Sequence, residues 1–277
     1  MSKENIDHKV VKGFGEEWST FNQSSVSREE LNKIFNEYFS VFPWDELPDE
    51  CVGFDLGCGS GRWGSFVAPR VGKLYCIDPS IDALNVAKTN IKSKNTEFIN
   101  AGVDKIPLKD SSMDFGYSLG VLHHVPDTEA GIVSCVKKIK IGSPFLLYLY
   151  YSLDNRPKWF RIIWRCSNAL RIIISRLPRF LKHFFSSVLA GLVYLPLARF
   201  AKHMEKRGKN VSNYPLSSYR NSSFYTMRTD SYDRFCTRLE KRYSRVQIQE
   251  MMEKAGLSDI KFREEAPFWC AVGFRIF

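Results

Sequence analysis

Short apolar runs alternate with stretches of helical spacing through the first half of the chain. CVGFDL (51–56) is an apolar run ending in turn residues, the pattern of a parallel strand buried on both faces. KLYCID (73–78), TEFINAG (96–102), MDFGYSL (113–119) and SPFLLYLYY (143–151) repeat it and predict four more strands. Between them a helix is expected over 62–70, a second over 81–92 capped by Ser80, and a third within 127–140. This alternation builds βαβ units around a parallel sheet.

After Tyr151 the rhythm stops, and about ninety residues pass before it resumes, far more than an ordinary connection needs. It resumes at Ser244, where Ser-x-x-Gln (244–247) has the form of a capping box. The helix RVQIQEMMEKA follows and stops at Gly256, and SDIKFREEA and FWCAVGFRIF predict a closing strand pair. The expected fold is therefore α/β, with a seven-stranded, mostly parallel sheet and a long, largely helical insert after the fifth strand. The chain divides into an N-terminal helical segment (1–49), a core (50–152), the insert (153–243) and a C-terminal helix with its strand pair (244–277).

Composition narrows this only slightly. A chain of 277 residues, 44% apolar and 25% charged, buries a full core and is neither disordered nor fibrous. MSKENIDHKVVKGFGEEW lacks the apolar stretch of a signal peptide. The seven cysteines, at 51, 58, 76, 135, 166, 236 and 270, show neither a CxxC pair nor zinc-like spacing. They read as reduced thiols in small core positions, with no metal site, and the expected location is cytoplasmic.

Charge changes the picture once it is located. Of the net +10, the segment 157–209 carries 12 Lys or Arg against the single acid Glu205, so it holds +11 and the rest of the chain sums to −1. PKWFRIIWRCSNALRIIISRL (157–177) is amphipathic: Lys158, Arg161, Arg165, Arg171 and Arg176 share one side, Trp159, Ile163, Leu170, Ile173 and Leu177 the other. FFSSVLAGLVYLPLA (184–198) then runs uncharged, shorter than a spanning helix and interrupted by Pro196. Three readings of this insert stand together. It is a cap over an acceptor site, an interfacial element lying peripherally on an inner membrane surface, or an RNA-binding attachment. Its Ile and Leu density speaks against nucleic acid, which is met by basic residues among exposed aromatics and polar groups.

The densest chemistry lies at DLGCGSGRW (55–63). The register Gly57-x-Gly59-x-Gly61 competes with Gly59-x-Gly61-x-x-Gly64, a dinucleotide fingerprint. The predicted strand ends at Leu56, so the dinucleotide register would begin its turn two residues late. It would also set Asp55 beside a diphosphate, where a carboxylate repels; beside a sulfonium ligand carrying an ammonium group it attracts.

With FDLGCGSGRW, YCIDPS (75–80) and NAGVDKIPLKDSSMDFGYSLGVLHHVPD (100–127) in this order, the chain resembles the class I S-adenosylmethionine-dependent methyltransferases, which have a Rossmann-like fold. The resemblance is strong over about 50–150 and weaker over 244–277. It implies S-adenosylmethionine as cofactor. Asp55, Gly57, Cys58, Gly59 and Gly61 would hold its methionine end and pass close to the ribose. Asp78, followed by Pro79, would accept the ribose hydroxyls. Val103 would lie beside the adenine and Asp104 on its amino group, with Ser118, Gly120 and Val121 against the methionine portion. No NPPY-like tetrad follows the fourth strand, where SLGV stands, which weakens the case for methylating DNA bases.

The resemblance implies an enzyme that transfers a methyl group in line to an oxygen or nitrogen of a small or lipid-linked biosynthetic acceptor. An RNA methyltransferase and a non-catalytic, membrane-associated binder are the alternatives. His124 and His123 follow the fourth strand, where an imidazole suits removal of a proton from the acceptor; satisfying backbone groups is their other reading. Phe14, Trp18 and Phe21 recur at helical spacing, as a lid or as ordinary packing. In the insert, Tyr219, Tyr225, Asp233 and Arg234 could bond a polar acceptor.

Overall fold

The computed structural model describes residues 4–277, so the first three residues of the expected N-terminal segment lie outside it. In chain order the elements are α1 (His8–Thr20), α2 (Arg28–Tyr38), β1 (Val52–Leu56), α3 (Gly64–Val67), β2 (Lys73–Asp78), α4 (Ile81–Asn90), β3 (Thr96–Asn100), β4 (Phe115–Leu119), α5 (Thr128–Val136) and β5 (Pro144–Tyr148). They continue with α6 (Lys158–Ile174), α7 (Arg179–Leu189), α8 (Leu195–Lys206), α9 (Phe224–Cys236), α10 (Arg245–Lys254), β6 (Leu257–Phe262) and β7 (Ala271–Arg275). Two compact units result. A sheet unit comprises the N-terminal segment to Gln23, Leu31–Ser152 and Leu239–Phe277; an insert unit comprises Ser24–Glu30 and Leu153–Arg238.

The sheet unit has the mostly parallel sheet that the strand pattern predicts, and is Rossmann-like, as the resemblance implies. Its seven strands run β3-β2-β1-β4-β5-β7-β6, the first five parallel and β7 antiparallel to both neighbours. From β1 the chain winds outward to β2 and β3, then returns to lay β4 on the other side. The C-terminal ends of β1 and β4 thus flank the switch point, where sheets of this kind open a ligand crevice. Phenylalanines fill the layer between strands because glycines face them. A Cβ on Gly53 would fall 2.3 Å from the Phe115 ring, and one on Gly116 would fall 2.5 Å from Phe54. One face packs Phe54, Phe145 and Leu147 against Ile132 of α5 and Met252 of α10; the other packs Leu74, Phe115 and Leu146 with Phe35, Phe39 and Trp63.

Local differences from the sequence pattern have physical causes. The helix expected over 62–70 shrinks to α3, because Pro69 draws its last turn into a 3-10 form. The third, fourth and fifth strands are shorter than their apolar runs. Their flanks are buried beyond the strand ends: Met113 and Leu149 sit in the core, and Met113 adds only an isolated bridge to Ile139.

The insert unit departs further. Pro196 does not interrupt the helix: α7, a π turn at Ala190–Tyr194 and α8 form one 28-residue helix, Arg179–Lys206. The wider π turn shifts the hydrogen-bond register just where the proline lacks its N–H and needs room for its ring. Nor does Arg171 belong to a solvated cationic side. It is 7% exposed, with Nη1 donating to the carbonyls of Thr237 (2.8 Å) and Arg238 (3.2 Å) and Nε to Asn168 Oδ1 (2.8 Å). Those carbonyls close the C-terminus of α9, the negative end of its dipole, which suits a guanidinium. Arg234 also serves packing, lying 5.4 Å over the Trp164 ring, and Asp233 Oδ1 accepts from Thr237 Oγ1.

Candidate functional site

The glycine turn leaves β1 at Leu56 and is pinned to β2, with Gly57 N and Cys58 N both donating to Ile77 O. Gly57, Gly59 and Gly61 all take positive φ, which spares each the strain a side chain would meet there. Space forbids a side chain as well. A Cβ would lie 2.4 Å from Val121 at Gly57, 2.8 Å from Trp18 Nε1 at Gly59 and 2.9 Å from Ala87 Cα at Gly61. So the turn touches β4's following loop, helix α1 and helix α4 at once.

Two carboxylates stand at this turn. Asp55 lies between Cys76 of β2 and Tyr117 of β4; it is buried, and its Oδ2 has no hydrogen-bond partner. Burial raises its pKa to about 8, against the opposing pull of the neighbouring Tyr117 hydroxyl and Arg62. Asp78 ends β2 and is held as a cradle: Oδ2 accepts from Gly59 N (3.0 Å) and Oδ1 from Ser80 N (2.8 Å). Burial lifts its pKa to about 6, with these two donors resisting. Each Asp78 oxygen keeps a lone pair for a further donor. The Ser60 hydroxyl is also buried without a partner. Nothing in the sequence marks Ser60 beyond its place between two glycines.

Orphaned buried oxygens beside bare backbone mark a site built for a ligand. A cation facing Asp55 and a pair of hydroxyls facing Asp78 would satisfy this cradle. The other residues singled out by motif gather at the same strand ends. Pro79 follows Asp78. Val103 is buried in a 3-10 turn after β3, while Asp104 beside it is exposed. Ser118 is fully buried and donates to Leu56 O (3.0 Å), so its hydroxyl ties β4 to β1. Gly120 takes positive φ, and Val121 packs on Gly57. Cys58 is buried with its thiol against that of Cys76, which raises its pKa well above the usual range together with burial.

α1 lies over this region. Trp18 covers Gly59, with the Arg62 guanidinium 5.6 Å over its ring, and Phe14 stands 4.9 Å from the His124 ring. Gly15 lets α1 approach α4, since a Cβ there would meet Ser80 Oγ at 2.6 Å. Phe21 is buried in the same unit.

Beyond β4 a second cluster forms. His123 and His124 lie 3.9 Å apart by ring centroid, and His123 lies 3.9 Å from Tyr150. His124 Nδ1 is 2.6 Å from Leu239 O, so Nδ1 carries the proton and Nε2 is the basic nitrogen of the neutral ring. His123 is fully buried, and both its nitrogens lack hydrogen-bond partners. Burial pushes its pKa well below the usual value and keeps it neutral. Arg242 lies 5.1 Å over the Tyr150 ring and pairs with Glu240 at 2.7 Å. Tyr148 stacks edge-on against Tyr38 at 5.0 Å. Tyr38, Tyr148, Tyr150, Glu240 and Arg242 carry no motif, and only the fold brings them together.

The segment that holds the glycine turn matches a known family, and curated relatives match part of the chain. The family described as a methyltransferase domain matches residues 54–147. Ubiquinone biosynthesis O-methyltransferases of Alkalilimnicola ehrlichii and Nitrosomonas europaea are 28% and 29% identical over 119 and 121 residues. Those matches cover 39% and 40% of this chain and 47% and 50% of the relatives, so the chain spans about half the length of the curated relatives it matches. Among solved structures, a complex between the Haloferax volcanii Trm112 methyltransferase activator and a methyltransferase matches with a TM-score of 0.55 at 12% identity. It covers 97% of this chain and 98% of that one, a likeness of fold alone.

Proposed function

The chain carries a class I S-adenosylmethionine-dependent methyltransferase domain, and on that premise we propose that it transfers a methyl group to an oxygen of a small or lipid-linked biosynthetic acceptor. The observation that carries this reading is that the cradle lies within residues 54–147, the segment matched by the methyltransferase-domain family, and two O-methyltransferases, matching about two fifths of the chain, favour oxygen as the acceptor atom. S-adenosylmethionine, when bound, supplies a methyl carbon activated by its sulfonium.

The chain's own residues then have five tasks. Asp55 would hold the ammonium group and Asp78 the ribose hydroxyls, each through oxygens the protein leaves open. Gly57, Gly59 and Gly61 let the backbone approach the ligand, and Ser60 offers its buried hydroxyl. Trp18 and Phe14 on α1 exclude water above the site, and by aligning the acceptor oxygen the enclosed site lowers the barrier to displacement. His124 Nε2 takes the proton from the acceptor hydroxyl, with Leu239 O fixing the tautomer. His123, neutral and enclosed, positions His124 and Tyr150.

The test is transfer of labelled methyl from S-adenosylmethionine into an extract of the producing cells, separated into soluble, lipid and nucleic-acid fractions. Label in an ether stable to alkali, from the soluble or lipid fraction, is the expected result. His124→Gln should cut turnover about 10²–10⁴-fold while cofactor affinity stays unchanged. Label in RNA, label on amines, or cofactor binding without any transfer would overturn the reading.

A further inference from the structure

α6 has three faces where the sequence pattern suggests two. Phe160, Trp164, Arg171 and Ile174 face its own unit, buried or half-buried. Trp159, Ile162, Ile163, Leu170 and Ile173, spaced three, four and seven residues apart, share a second face, and all are exposed, Ile173 at 63%. Lys158, Arg161 and Arg165 line the third, along one edge of the apolar stripe, and Arg176 follows in the turn beyond the helix. The long helix Arg179–Lys206 repeats the design. Ser186, Ala190, Tyr194, Ala198 and Ala201 are buried, whereas Phe180 (70%), Phe184 and Leu192 (75%) stand in solvent.

Water-exposed Ile, Leu and Phe in this number are costly to leave uncovered. Charge says what covers them. Lys158, Arg161 and Arg165 form no ion pair among the described residues, and the one acid of the segment, Glu205, pairs with Arg220 at 2.9 Å. A second copy of the chain would oppose like charges, which argues against self-association. We propose that this surface seats the insert unit on a bilayer with anionic headgroups, its apolar stripe at the headgroup–acyl boundary and its cations against lipid phosphates.

The element lies on the bilayer and does not cross it. The helix Arg179–Lys206 reaches a mean hydropathy of 1.6 over 18 residues, yet its first half, α7, is tied to the polar helix α9. Arg228 Nε donates to Ser187 Oγ (3.1 Å), Ser231 Oγ to Ser186 O (2.9 Å) and Lys182 Nζ to Cys236 O (3.4 Å). Arg228, Asp233 and Arg234 of α9 would have to follow it into hydrocarbon. An amphipathic helix with cations beside its apolar face suits the interface instead.

The experiment is sedimentation of the full chain with vesicles of phosphatidylcholine, alone or mixed with phosphatidylglycerol. Binding should be at least about tenfold stronger to the anionic vesicles and weaken with added salt. Ile163→Ser with Ile173→Ser should abolish it, Ile163→Leu with Ile173→Leu should retain it, and Lys158→Glu with Arg165→Glu should remove the anionic preference. Calorimetry with S-adenosylhomocysteine checks that each variant is folded; it also separates failure of docking from failure of the methyltransferase reading. Absence of vesicle binding, binding indifferent to these variants, a dimer dispersed by the serine variant, or protein that resists alkaline carbonate extraction would each overturn the proposal.

Discussion

Replacing Asp78 by alanine should weaken cofactor binding by an amount the cradle itself sets. A carboxylate offers about four acceptor positions. Gly59 N and Ser80 N take one on each oxygen, at 3.0 and 2.8 Å, so two remain, one per oxygen. Two neighbouring ribose hydroxyls match that number and spacing. Water can refill the space left by alanine, so the loss is that of hydrogen bonds to a charged acceptor, about 1.5–3 kcal/mol. This corresponds to roughly a 10- to 150-fold rise in Kd. Calorimetry with two ligands makes the assignment specific. S-adenosylhomocysteine carries both the ribose and the amino-acid end, whereas 5′-methylthioadenosine lacks the latter. Asp78→Ala should weaken both by a similar factor; Asp55→Asn should weaken the first and spare the second. Unchanged affinity of a folded Asp78→Ala protein, or a loss confined to S-adenosylhomocysteine, would refute the reasoning.

Two further outcomes follow from the same turn. Asp55 is protonated in the free protein below about pH 8, and binding a cation favours its carboxylate, so binding releases a proton. Affinity should therefore rise about tenfold per pH unit from pH 6 to 7.5, and Asp55→Asn should flatten the dependence. The raised pKa values of Asp55 and Asp78 also mean that the folded state holds protons the unfolded state has lost. The stability of the free protein accordingly falls as pH rises from about 4 through 8, and saturating cofactor should reduce that fall in thermal unfolding. Gly61→Ala combines φ +73° with a Cβ 2.9 Å from Ala87 Cα, costing about 2–5 kcal/mol. Gly142→Ala, at φ +80° with no atom within 4 Å, incurs only the backbone cost. The melting temperature should drop further for Gly61→Ala, and equal drops would mean that the contact with α4 carries no cost.

Much of the sheet unit was legible because its signals are local. Apolar runs of strand length, Ser80 as a cap, the capping box at Ser244 and three glycines in five residues each act within a few neighbours. The resemblance carried by the ordered motifs led to Asp55 and Asp78, and the structure places both at the turn. Ser60 escaped because its unsatisfied hydroxyl is visible only once the turn is closed. Tyr38, Tyr148, Tyr150 and Arg242 escaped because they come from separate segments of the chain.

The sequence by itself determined the alternation of strands and helices, the register of the glycine turn and the location of the net charge, since spacing, backbone freedom and charge are written residue by residue. Tertiary structure decided which atoms lose water. Enclosure between β2 and β4 makes Asp55 hold its proton near neutrality. The carbonyls closing α9 draw Arg171 inward, and a π turn carries a helix through Pro196. Packing α6 through Trp164, Arg171 and Ile174 leaves Ile163 and Ile173 facing out. A periodic pattern marks the faces a helix has, but which face is buried depends on the partner against which it packs.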